Sequence, residues 1–325
     1  MIVLVTGGAG YIGSHACKAL AAAGHAPVAY DNLSTGHRWA VKWGPLVVGE
    51  LADGAALREA LRAHGAEAVM HFAGSAYVGA SNVDPRGYYA NNVVSGLNLL
   101  NAMLDTGVHR LVFSSTCATY GLQQTPLLAE DHSQLPVNPY GETKLAFERA
   151  LRWYGTAYGL RSVVLRYFNA AGADPDGELG ETHDPEPHII PIVLQAAAGE
   201  LPYVEIFGDD YPTPDGTAIR DYVHVCDIGD AHVRALGHLE RDGASLELNL
   251  GSERGFSIRE IIAAASRISG REIPVRVTPR RRGDPPRLVA DGAMARQLLG
   301  WTPASSTLET MLGSAWRWQS RSRQP

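Results

Sequence analysis

The sequence predicts an α/β protein in which a doubly wound parallel sheet is followed by a smaller α/β domain. Three observations support this prediction. Short β-branched runs alternate with longer helical stretches through the first half of the chain. A glycine-rich segment connects the first of these runs to the first helical stretch. After residue 169 the content of glycine, proline and acidic residues rises, which indicates a domain with longer loops.

The first domain is predicted from apolar runs and the helices between them. The runs are short and rich in β-branched residues, which is typical of strands buried on both faces of a parallel sheet. These strands are predicted at residues 2–6, 27–30, 68–72, 110–114 and 162–166. Helices are predicted at residues 13–23, 55–63, 90–106 and 141–158. In the last helix Leu145, Leu151 and Tyr154 belong to an apolar stripe, and charged residues such as Glu148 lie elsewhere.

The second domain is predicted to begin near residue 170. Residues 173–188 and 208–217 are rich in glycine, proline and acidic residues, so we expect loops there. Short helices are predicted at residues 191–198 and 257–268. Residues 222–236 and 246–250 are apolar enough to return to the first sheet. We therefore expect domains of residues 1–169 and 170–325, with segments near 222–250 rejoining the first.

The composition excludes several classes of protein. The 325 residues are 45% apolar and 19% charged, as expected of a soluble globular protein. A net charge of −6 argues against binding to nucleic acid or to an anionic membrane surface. We expect neither a targeting segment nor a membrane span, because Met1 leads directly into a strand and no apolar run approaches ~18 residues. The three scattered cysteines predict a cytoplasmic protein with no disulfide and no metal.

A glycine motif lies between the first strand and the first helix, with Gly7, Gly10 and Gly13 at its key positions. Glycines at these positions let backbone N–H groups approach a pyrophosphate, and the helix N-terminus adds positive potential. Asp31 ends the next strand, 18 residues after Gly13. A carboxylate there bonds the ribose hydroxyls of NAD and repels the 2′-phosphate of NADP. The first domain is therefore predicted to be a Rossmann-type domain that binds NAD.

Tyr140 and Lys144 are candidate catalytic residues. They are four residues apart at the start of the helix predicted at 141–158, so both side chains project from one helical face. A nearby ammonium favours the ionised form of a phenol, which would make Tyr140 a base. Thr116 follows the strand at 110–114, at the sheet edge where ligands bind, and could bond the same substrate hydroxyl. The alternatives are an accidental Tyr–Lys pair on a helix surface and a strand-capping role for Thr116.

The motifs resemble the extended branch of the short-chain dehydrogenase/reductase family, and within it the UDP-glucose 4-epimerases. The resemblance runs from Gly7 to about Trp318 and rests on the segments Gly7–Gly13, Asp31–Leu33, Phe72–Gly74, Asn91–Val93 and Asn138–Lys144. Related dehydratases and decarboxylases carry an acidic residue just after the hydroxyl of Thr116, where this chain has Cys117 and Ala118. The resemblance therefore implies oxidation and re-reduction at C4 of a UDP-hexose, with Tyr140 as the base and NAD retained.

The resemblance also implies two sets of binding residues. The cofactor contacts are Gly7, Gly10, Tyr11, Ile12, Gly13, Asp31, Asn32, Leu33, Ser34, Thr35, Gly36, Glu50, Leu51, Phe72, Ala73, Gly74, Ala76, Asn91, Thr116, Tyr140, Lys144, Tyr167 and Phe168. The UDP-sugar contacts are Thr116, Tyr140, Asn169, His188, Ile189, Glu205, Ile206, Phe207, Arg220, Arg281, Asp284 and Leu288. In this scheme Arg220 and Arg281 bind the diphosphate and Asp284 binds the ribose hydroxyls. Without the resemblance, Arg281 would belong to a solvated surface run.

Some positions depart from the family pattern or leave their role open. Glu50 stands where an aspartate usually meets adenine, and Ala76 stands where some relatives have a lysine. His188 either donates to a phosphate or sugar oxygen or is a surface residue at a helix start. Leu288 lies where the family varies between tyrosine and small residues beside the hexose 2-position. The sugar therefore stays open between UDP-glucose and UDP-galactose, a UDP-N-acetylhexosamine and a UDP-pentose such as xylose or arabinose.

Two further alternatives concern the class of function. A net nucleotide-sugar reductase would have the same core residues but would change NADH absorbance stoichiometrically. A non-catalytic NAD-sensing module often lacks the tyrosine and lysine that this chain keeps. The resemblance also implies a homodimer formed through the helices at 90–106 and 141–158. Leu97, Leu100 and Leu104 could contribute to that interface, or they could face the sheet.

Overall fold

The computed structural model describes residues 1–122, 125–281 and 284–321. Its strands are β1 (Ile2–Thr6), β2 (Ala26–Asp31), β3 (Leu46–Val48), β4 (Ala68–His71), β5 (Arg110–Thr116), β6 (Arg161–Tyr167), β7 (Asn169–Ala171), β8 (Val204–Phe207), β9 (Ile219–His224), β10 (Leu246–Leu250), β11 (Gly255–Ser257), β12 (Val275–Thr278) and β13 (Arg287–Leu288). Its α-helices are α1 (Tyr11–Ala22), α2 (Gly54–His64), α3 (Val78–Val83), α4 (Pro85–Tyr88), α5 (Ser95–Asp105), α6 (Pro139–Tyr158), α7 (Ile189–Ala197), α8 (Val225–Glu240), α9 (Ile258–Ser269), α10 (Ala293–Leu299) and α11 (Leu308–Arg321).

The large sheet contains seven strands in the order β10-β6-β5-β4-β1-β2-β3, and every pair is parallel. The chain thus winds outward from β1 in both directions, which is the Rossmann-type order. The prediction of a doubly wound parallel sheet is confirmed. The strand ends are in register, since Thr6 pairs with Tyr30 and with His71, and Thr116 pairs with Tyr167. Residues just beyond these ends therefore meet at one edge of the sheet.

Apolar side chains cover both faces of the large sheet. On one face Leu20 of α1 and Leu236 of α8 pack with Val112 of β5. On the other face α2, α5 and α6 pack against the strands, with Leu61 and Leu151 in that cluster. The strands therefore show nearly continuous burial rather than the alternation of a half-exposed sheet.

The smaller domain has a four-stranded sheet around β9 and a two-stranded pair of β8 and β12. Helices α7, α9 and α11 share an apolar core with these strands. β10 pairs with β6 in the large sheet, where residues 246–250 were expected. Most of residues 222–236 also return to the large sheet, as helix α8 packed against β5 and β6, whereas Tyr222 to His224 end β9 of the smaller sheet. Apolar character alone does not separate a buried strand from a buried helix.

Some elements differ from the predicted ones in extent. The sequence does not predict β3, because Leu46–Val48 is too short to show a pattern. The first residues of the helix predicted at 90–106 belong to a π-helical stretch, Tyr89–Val94, which follows α4. Helix α5 forms the rest. Arg282 and Gly283, which lie between the predicted substrate contacts Arg281 and Asp284, are outside the described residues. Among the described helices, none combines the length and the apolar character needed to cross a membrane.

Candidate active site

The glycine loop joins β1 to α1. Gly7 has a φ of 73°, which favours glycine, and a Cβ there would lie 2.6 Å from Ala73 N. A Cβ on Gly13 would collide with the carbonyl oxygen of Gly7. Helix α1 begins at Tyr11, and its N-cap residue is Gly10, which has no side chain to cap the first N–H groups. This loop fits a pyrophosphate, which would accept hydrogen bonds from the helix N-terminus.

The carboxylate of Asp31 is buried against the glycine loop. Its Oδ2 accepts a hydrogen bond from Ala9 N at 3.0 Å, and its Oδ1 accepts one from Leu33 N at 2.8 Å. Leu33 has a φ of 61°, an uncommon conformation for a residue with a side chain, and the bond to Asp31 helps to hold it. Gly36 also approaches this carboxylate, since a Cβ there would lie 2.9 Å from Oδ1. The structure therefore places Asp31 beside the loop, as NAD recognition through ribose hydroxyls requires.

The remaining residues predicted near the adenosine end surround the turn after β2. Asn32 Nδ2 donates to both carboxylate oxygens of Glu50, at 3.2 and 3.1 Å, while Ser34 N donates to Asn32 Oδ1 at 3.0 Å. Glu50 is exposed and Leu51 is buried beside it. Thr35 lines a crevice that also contains Gly10, Tyr11 and His183. The extra methylene of Glu50 is thus accommodated by its bond to Asn32.

The segment after β4 crosses the end of β1. The backbone N–H groups of Phe72 and Ala73 both donate to Thr6 O, at 2.9 and 3.1 Å. Gly74 then passes close to the catalytic helix, because a Cβ on it would lie 3.6 Å from Lys144 Nζ. These three predicted cofactor residues therefore lie between the glycine loop and the predicted catalytic lysine. Ala76, further along, is exposed.

Adjacent asparagines anchor this segment in different ways. Asn91, the predicted contact, is exposed and donates to Ser75 Oγ at 2.9 Å. Asn92 is buried; its Oδ1 accepts from Ser75 N at 2.8 Å and its Nδ2 donates to Thr143 Oγ1 at 3.0 Å. Asn92 therefore links the segment to the helix that carries Lys144, a role that sequence reasoning missed because spacing does not distinguish two neighbouring asparagines.

Helix α6 begins one residue before Tyr140, the first of the two predicted catalytic residues on it. Pro139 is its first residue, and the side chain of Asn138 caps it by accepting a hydrogen bond from Gly141 N at 2.9 Å. Tyr140 and Lys144 then lie one turn apart on the first two turns, so the predicted spacing on a helix holds. A rigid, capped helix start fixes both side chains relative to the sheet edge.

Lys144 is a buried cation at the end of β5. Its side chain is 6% exposed, and its Nζ donates to Ser114 O at 3.0 Å and lies 4.9 Å from the centre of the Phe113 ring. Burial lowers the pKa of Lys144 from 10.5 to about 8, and the carboxylate of Glu148 opposes that shift. The pKa of His71 falls to about 3, mainly through burial and in part through Lys144.

The hydroxyls of Tyr140 and Thr116 form a pair. Burial raises the pKa of Tyr140 above its ordinary value of 10.0, and a hydrogen bond with the Thr116 side chain lowers it in part. Thr116 ends β5 and is 6% exposed, and its Oγ1 also accepts a hydrogen bond from Ala118 N at 3.2 Å. Thr116 therefore caps the turn after β5, as one of the two alternatives expected, and its bond to the substrate hydroxyl stays a prediction.

Cys117, the residue after Thr116, cannot serve as an acid or base at neutral pH. Its side chain is buried, and burial raises the pKa of this thiol to about 12. The guanidinium of Arg220 lowers that pKa in part; Arg220 is the pairing partner of Leu288, which packs against the cluster that contains Cys117. With Ala118 next in the chain, the place where dehydratases carry an acid offers no proton-transfer group here.

A buried ion pair braces the catalytic helix. Glu148 is fully buried on α6 and pairs with Arg166 of β6 at 2.7 Å, while Ser115 Oγ also donates to its carboxylate. The pair thus joins α6 to the two strands beside Thr116. The sequence pattern placed Glu148 with the charged residues outside the apolar stripe, and this needs correction. The helical pattern does not reveal that such a carboxylate is buried, because the arginine that pairs with it lies on another element.

The predicted substrate arginines lie on opposite sides of one aspartate. Arg220 Nη2 and Asp284 Oδ1 form an ion pair at 2.7 Å, and Arg220 is largely buried. Arg281 is exposed, with its guanidinium 3.7 Å from the centre of the Phe207 ring. Arg281 O accepts a hydrogen bond from Asp284 N at 3.3 Å. The structure therefore brings these four residues, from β8, β9 and the segment before β13, to one place.

The other predicted contacts continue this surface toward β6. Tyr167 hydrogen-bonds with Ser114, and Asn169 Nδ2 donates to Asp221 O at 2.6 Å. Phe168 and Leu288 pack in one cluster with Cys117, directly after Thr116. In β8, Ile206 is buried, and Glu205 forms an ion pair with Arg276.

His188 is the N-cap residue of α7 and lines a crevice with Asn169 and Ile189. Its Nδ1 lies 2.7 Å from Glu181 Oε1 and 3.1 Å from Glu186 Oε1. Burial lowers the pKa of His188, but the two carboxylates outweigh it and raise the pKa to about 10. His188 is thus an exposed residue at a helix start that also pairs with two glutamates, and its contact with the substrate stays a prediction.

Comparisons with known proteins agree with this geometry. Residues 3–251 match the NAD dependent epimerase/dehydratase family. The UDP-glucose 4-epimerase of Rhizobium meliloti (strain 1021) is 50% identical over 99% of this chain and 98% of its own length. The crystal structure of UDP-glucose 4-epimerase from Brucella ovis in complex with NAD has a TM-score of 0.96 at 53% identity, covering 97% of each chain. That of the Bifidobacterium longum enzyme in complex with NAD+ and UDP has a TM-score of 0.93 at 36% identity, covering 99% of this chain and 98% of its own. With a glycine loop, a Tyr–Lys helix and relatives of this closeness, the chain belongs to the NAD dependent epimerase/dehydratase family.

Proposed function

We propose that this chain interconverts UDP-glucose and UDP-galactose by NAD-dependent epimerisation at C4. The observation that carries the proposal is that Tyr140, at the start of α6, lies against the end of β5, where Thr116 is followed by Cys117 and Ala118: a Cβ on Gly141, directly after Tyr140, would lie 2.4 Å from Ala118 O. A base is present, but the residues after Thr116 offer no acid for elimination. The relatives named UDP-glucose 4-epimerase cover nearly the whole chain, which supports the same choice.

The cofactor fits the residues that the structure provides. The glycine loop leaves room for a pyrophosphate, and Asp31 is held beside it as an acceptor for ribose hydroxyls. Lys144 and the segment at Gly74 lie at the opposite end of the same sheet edge, next to β5. The glycine loop, Asp31 and Lys144 would hold NAD, which would supply a hydride acceptor and donor for C4 of the sugar.

Tyr140 carries the proton of the reaction. Its phenolic oxygen takes the proton of the C4 hydroxyl as C4 is oxidised to the 4-keto sugar, and it returns that proton when C4 is reduced. Thr116 orients the same hydroxyl through its own side chain. Lys144, one turn further along the same helix, supplies a positive charge on the same helical face. An ammonium brought near the phenol favours its ionised form against the burial that raises its pKa.

The substrate is held by the second domain. Arg220 and Arg281 supply guanidinium groups for the diphosphate, which they can bond in pairs in one plane. Asp284, released from its ion pair with Arg220, accepts the ribose hydroxyls. Because the residue that pairs with Arg220 in β13 packs against the cluster that contains Cys117, the diphosphate is held near the end of β5 and the hexose can reach Tyr140.

A second candidate is the same reaction on a UDP-N-acetylhexosamine. Leu288 packs beside Phe168 and Cys117, at the edge of the catalytic strand, so its size can limit the group carried at the hexose 2-position. A leucine leaves more room than a tyrosine and less than alanine or cysteine. We therefore expect both sugars to react, with UDP-galactose faster than UDP-N-acetylgalactosamine.

The test is incubation of the purified enzyme with a panel of UDP-hexoses, UDP-N-acetylhexosamines and UDP-pentoses. We expect UDP-glucose from UDP-galactose, with unchanged mass and no net change in NADH absorbance. Loss of water would identify a dehydratase, and stoichiometric consumption of NADH would identify a reductase. Tightly bound NADP in place of NAD would contradict the role of Asp31.

We propose in addition a homodimer formed through α5, α6 and the stretch before α5. Val94 and Trp153 are exposed there, Trp153 to 72%. Leu100 is fully buried in the core of the large sheet, so it belongs to the fold rather than to an interface. Trp153→Glu should shift a dimer to monomer in light scattering; a wild-type monomer would contradict the proposal.

The three free cysteines favour a cytoplasmic location.

A further inference from the structure

The loop between β7 and α7 gathers two glutamates and two histidines around one point. One candidate ligand atom from each side chain lies within 4.8 Å of the others. Both glutamate side chains are buried, with exposures of 7% and 6%. The residues of this cluster are Glu181, His183, Glu186 and His188.

Four distances in the cluster join an imidazole nitrogen to a carboxylate oxygen. Nδ1 of His188 lies 2.7 Å from Glu181 Oε1 and 3.1 Å from Glu186 Oε1. Nδ1 of His183 lies 3.2 Å from Glu181 Oε1 and 3.5 Å from Glu186 Oε2. Ligands at zinc bond lengths on a tetrahedron are separated from one another by about 3.3 Å. The observed distances lie on either side of that edge length, and those to Glu186 involve both of its oxygens, so the four side chains are close enough together to reach one ion.

His183 lies within ion-pair distance of both glutamates, but its Nδ1 is not aligned for a hydrogen bond with either. Its Nδ1 is buried and has no hydrogen-bond partner among the described residues, although two carboxylate oxygens lie within 3.5 Å. Buried polar nitrogens are rarely left without a partner. A nitrogen that is close to several oxygens but not aligned with any of them has the geometry of a ligand directed at a shared centre.

We propose that Glu181, His183, Glu186 and His188 bind one divalent ion of the zinc class. Imidazole nitrogen and carboxylate oxygen are both zinc ligands, and two carboxylates balance the charge of the ion. All four ligands come from one loop, so the ion closes that loop on itself. The site differs from the nearby group of Asp174, Asp176 and Glu178, where Lys18 Nζ already lies 2.8 to 2.9 Å from a carboxylate oxygen of each.

The position of the site gives the ion a structural role. His183 lines the crevice that contains Gly10 and Tyr11, and His188 lines the crevice that contains Asn169. The ring of Tyr11 lies 6.3 Å from the ring of His183, so the closed loop packs against the start of α1. The ion therefore fixes the segment that separates the predicted pyrophosphate site from the predicted sugar site.

The test is a titration with cobalt(II), which reports tetrahedral coordination by its visible absorption. The full-length protein with its bound dinucleotide is treated with EDTA, dialysed and titrated with cobalt chloride. We expect one equivalent to bind with the absorption of a four-coordinate ion, and zinc to displace it. His183→Gln and Glu186→Gln should each weaken binding by more than about 100-fold, since loss of even an outer-shell partner costs 10–100-fold. Glu178→Gln, in the group held by Lys18, is the matched control and should bind cobalt like the wild type.

Two results would overturn the proposal. One is a wild-type protein that binds no stoichiometric cobalt or zinc, which would leave the cluster as an ion-paired latch. The other is an unchanged cobalt spectrum in both ligand variants. If the variants fail to fold by circular dichroism, native mass spectrometry of the wild type decides, because a zinc adduct that EDTA removes supports the site and its absence refutes it. These readouts do not depend on epimerase activity.

Discussion

Replacing Tyr140 with phenylalanine removes the oxygen that we propose as the base and keeps the ring. The lost hydrogen bond with Thr116 is worth about 0.5–1.5 kcal/mol net, so the fold should lose no more than about 1.5 kcal/mol of stability. Loss of a positioned base should slow turnover by ~10²–10⁴-fold. That corresponds to about 3–5 kcal/mol in the activation barrier. The effect on rate should therefore exceed the effect on stability.

The assay measures UDP-galactose turnover, bound NAD and thermal unfolding on the same preparations. Tyr154→Phe is the matched control, because Tyr154 is on the same helix and its hydroxyl bonds Asn101 at 2.8 Å, at the surface. It should keep near-normal turnover. The reasoning fails if Tyr140→Phe, folded and loaded with NAD, retains most of the wild-type rate, or if the control loses as much activity as Tyr140→Phe.

The remaining predictions concern the Glu148–Arg166 ion pair, Lys144 and Leu288. Glu148→Gln should cost about 1–3 kcal/mol in denaturant unfolding, because Arg166 loses its fully buried partner but keeps Glu247; Glu142→Gln, a partly exposed position on α6, should change little, and equal losses would contradict the role of the Glu148–Arg166 ion pair. The pKa of Lys144 is about 8 folded against 10.5 unfolded, so the unfolded chain binds more protons between those values and wild-type stability rises with pH there. Lys144→Met should thus unfold less readily than wild type below pH 8, by at most about 3 kcal/mol, and the gap should close toward pH 10.5; a constant gap in apo-protein melts would refute this. Leu288→Tyr should suppress turnover of UDP-N-acetylgalactosamine selectively, whereas equal loss of both substrates would show that residue 288 does not border the 2-position.

The large sheet could be predicted from sequence because its strands are buried on both faces. Such strands give continuous apolar runs, as in Ile2–Thr6, and the helices between them have their own period. The smaller sheets could not be predicted in this way. β9 carries Arg220 and Asp221, and β13 has only the residues Arg287–Leu288, so neither shows a strand pattern. Their pairing depends on contacts between distant parts of the chain.

The same distinction holds for the site. Tyr140 and Lys144 could be identified because their relation is local, one helical turn, and the helix start is marked by Asn138 and Pro139. The ion pair of Arg220 with Asp284 joins residues 64 positions apart, and no spacing rule predicts it. The buried position of Asn92 and the cluster of Glu181, His183, Glu186 and His188 could not be predicted for a related reason. Whether a polar side chain is buried depends on which elements cover it, and the local sequence does not show this.

The Glu148–Arg166 ion pair also explains how α6 holds the buried ammonium of Lys144 at the sheet edge. A lone carboxylate one turn from Lys144 would keep the lysine strongly protonated, but Glu148 is already neutralised by Arg166, so its pull is partial. Burial then wins, and the pKa of Lys144 settles at about 8. At pH 7 about nine-tenths of the chains still carry the charge. The helix therefore presents at neutral pH a cation that Glu148 offsets only in part, which is the charge that the proposed mechanism requires of Lys144.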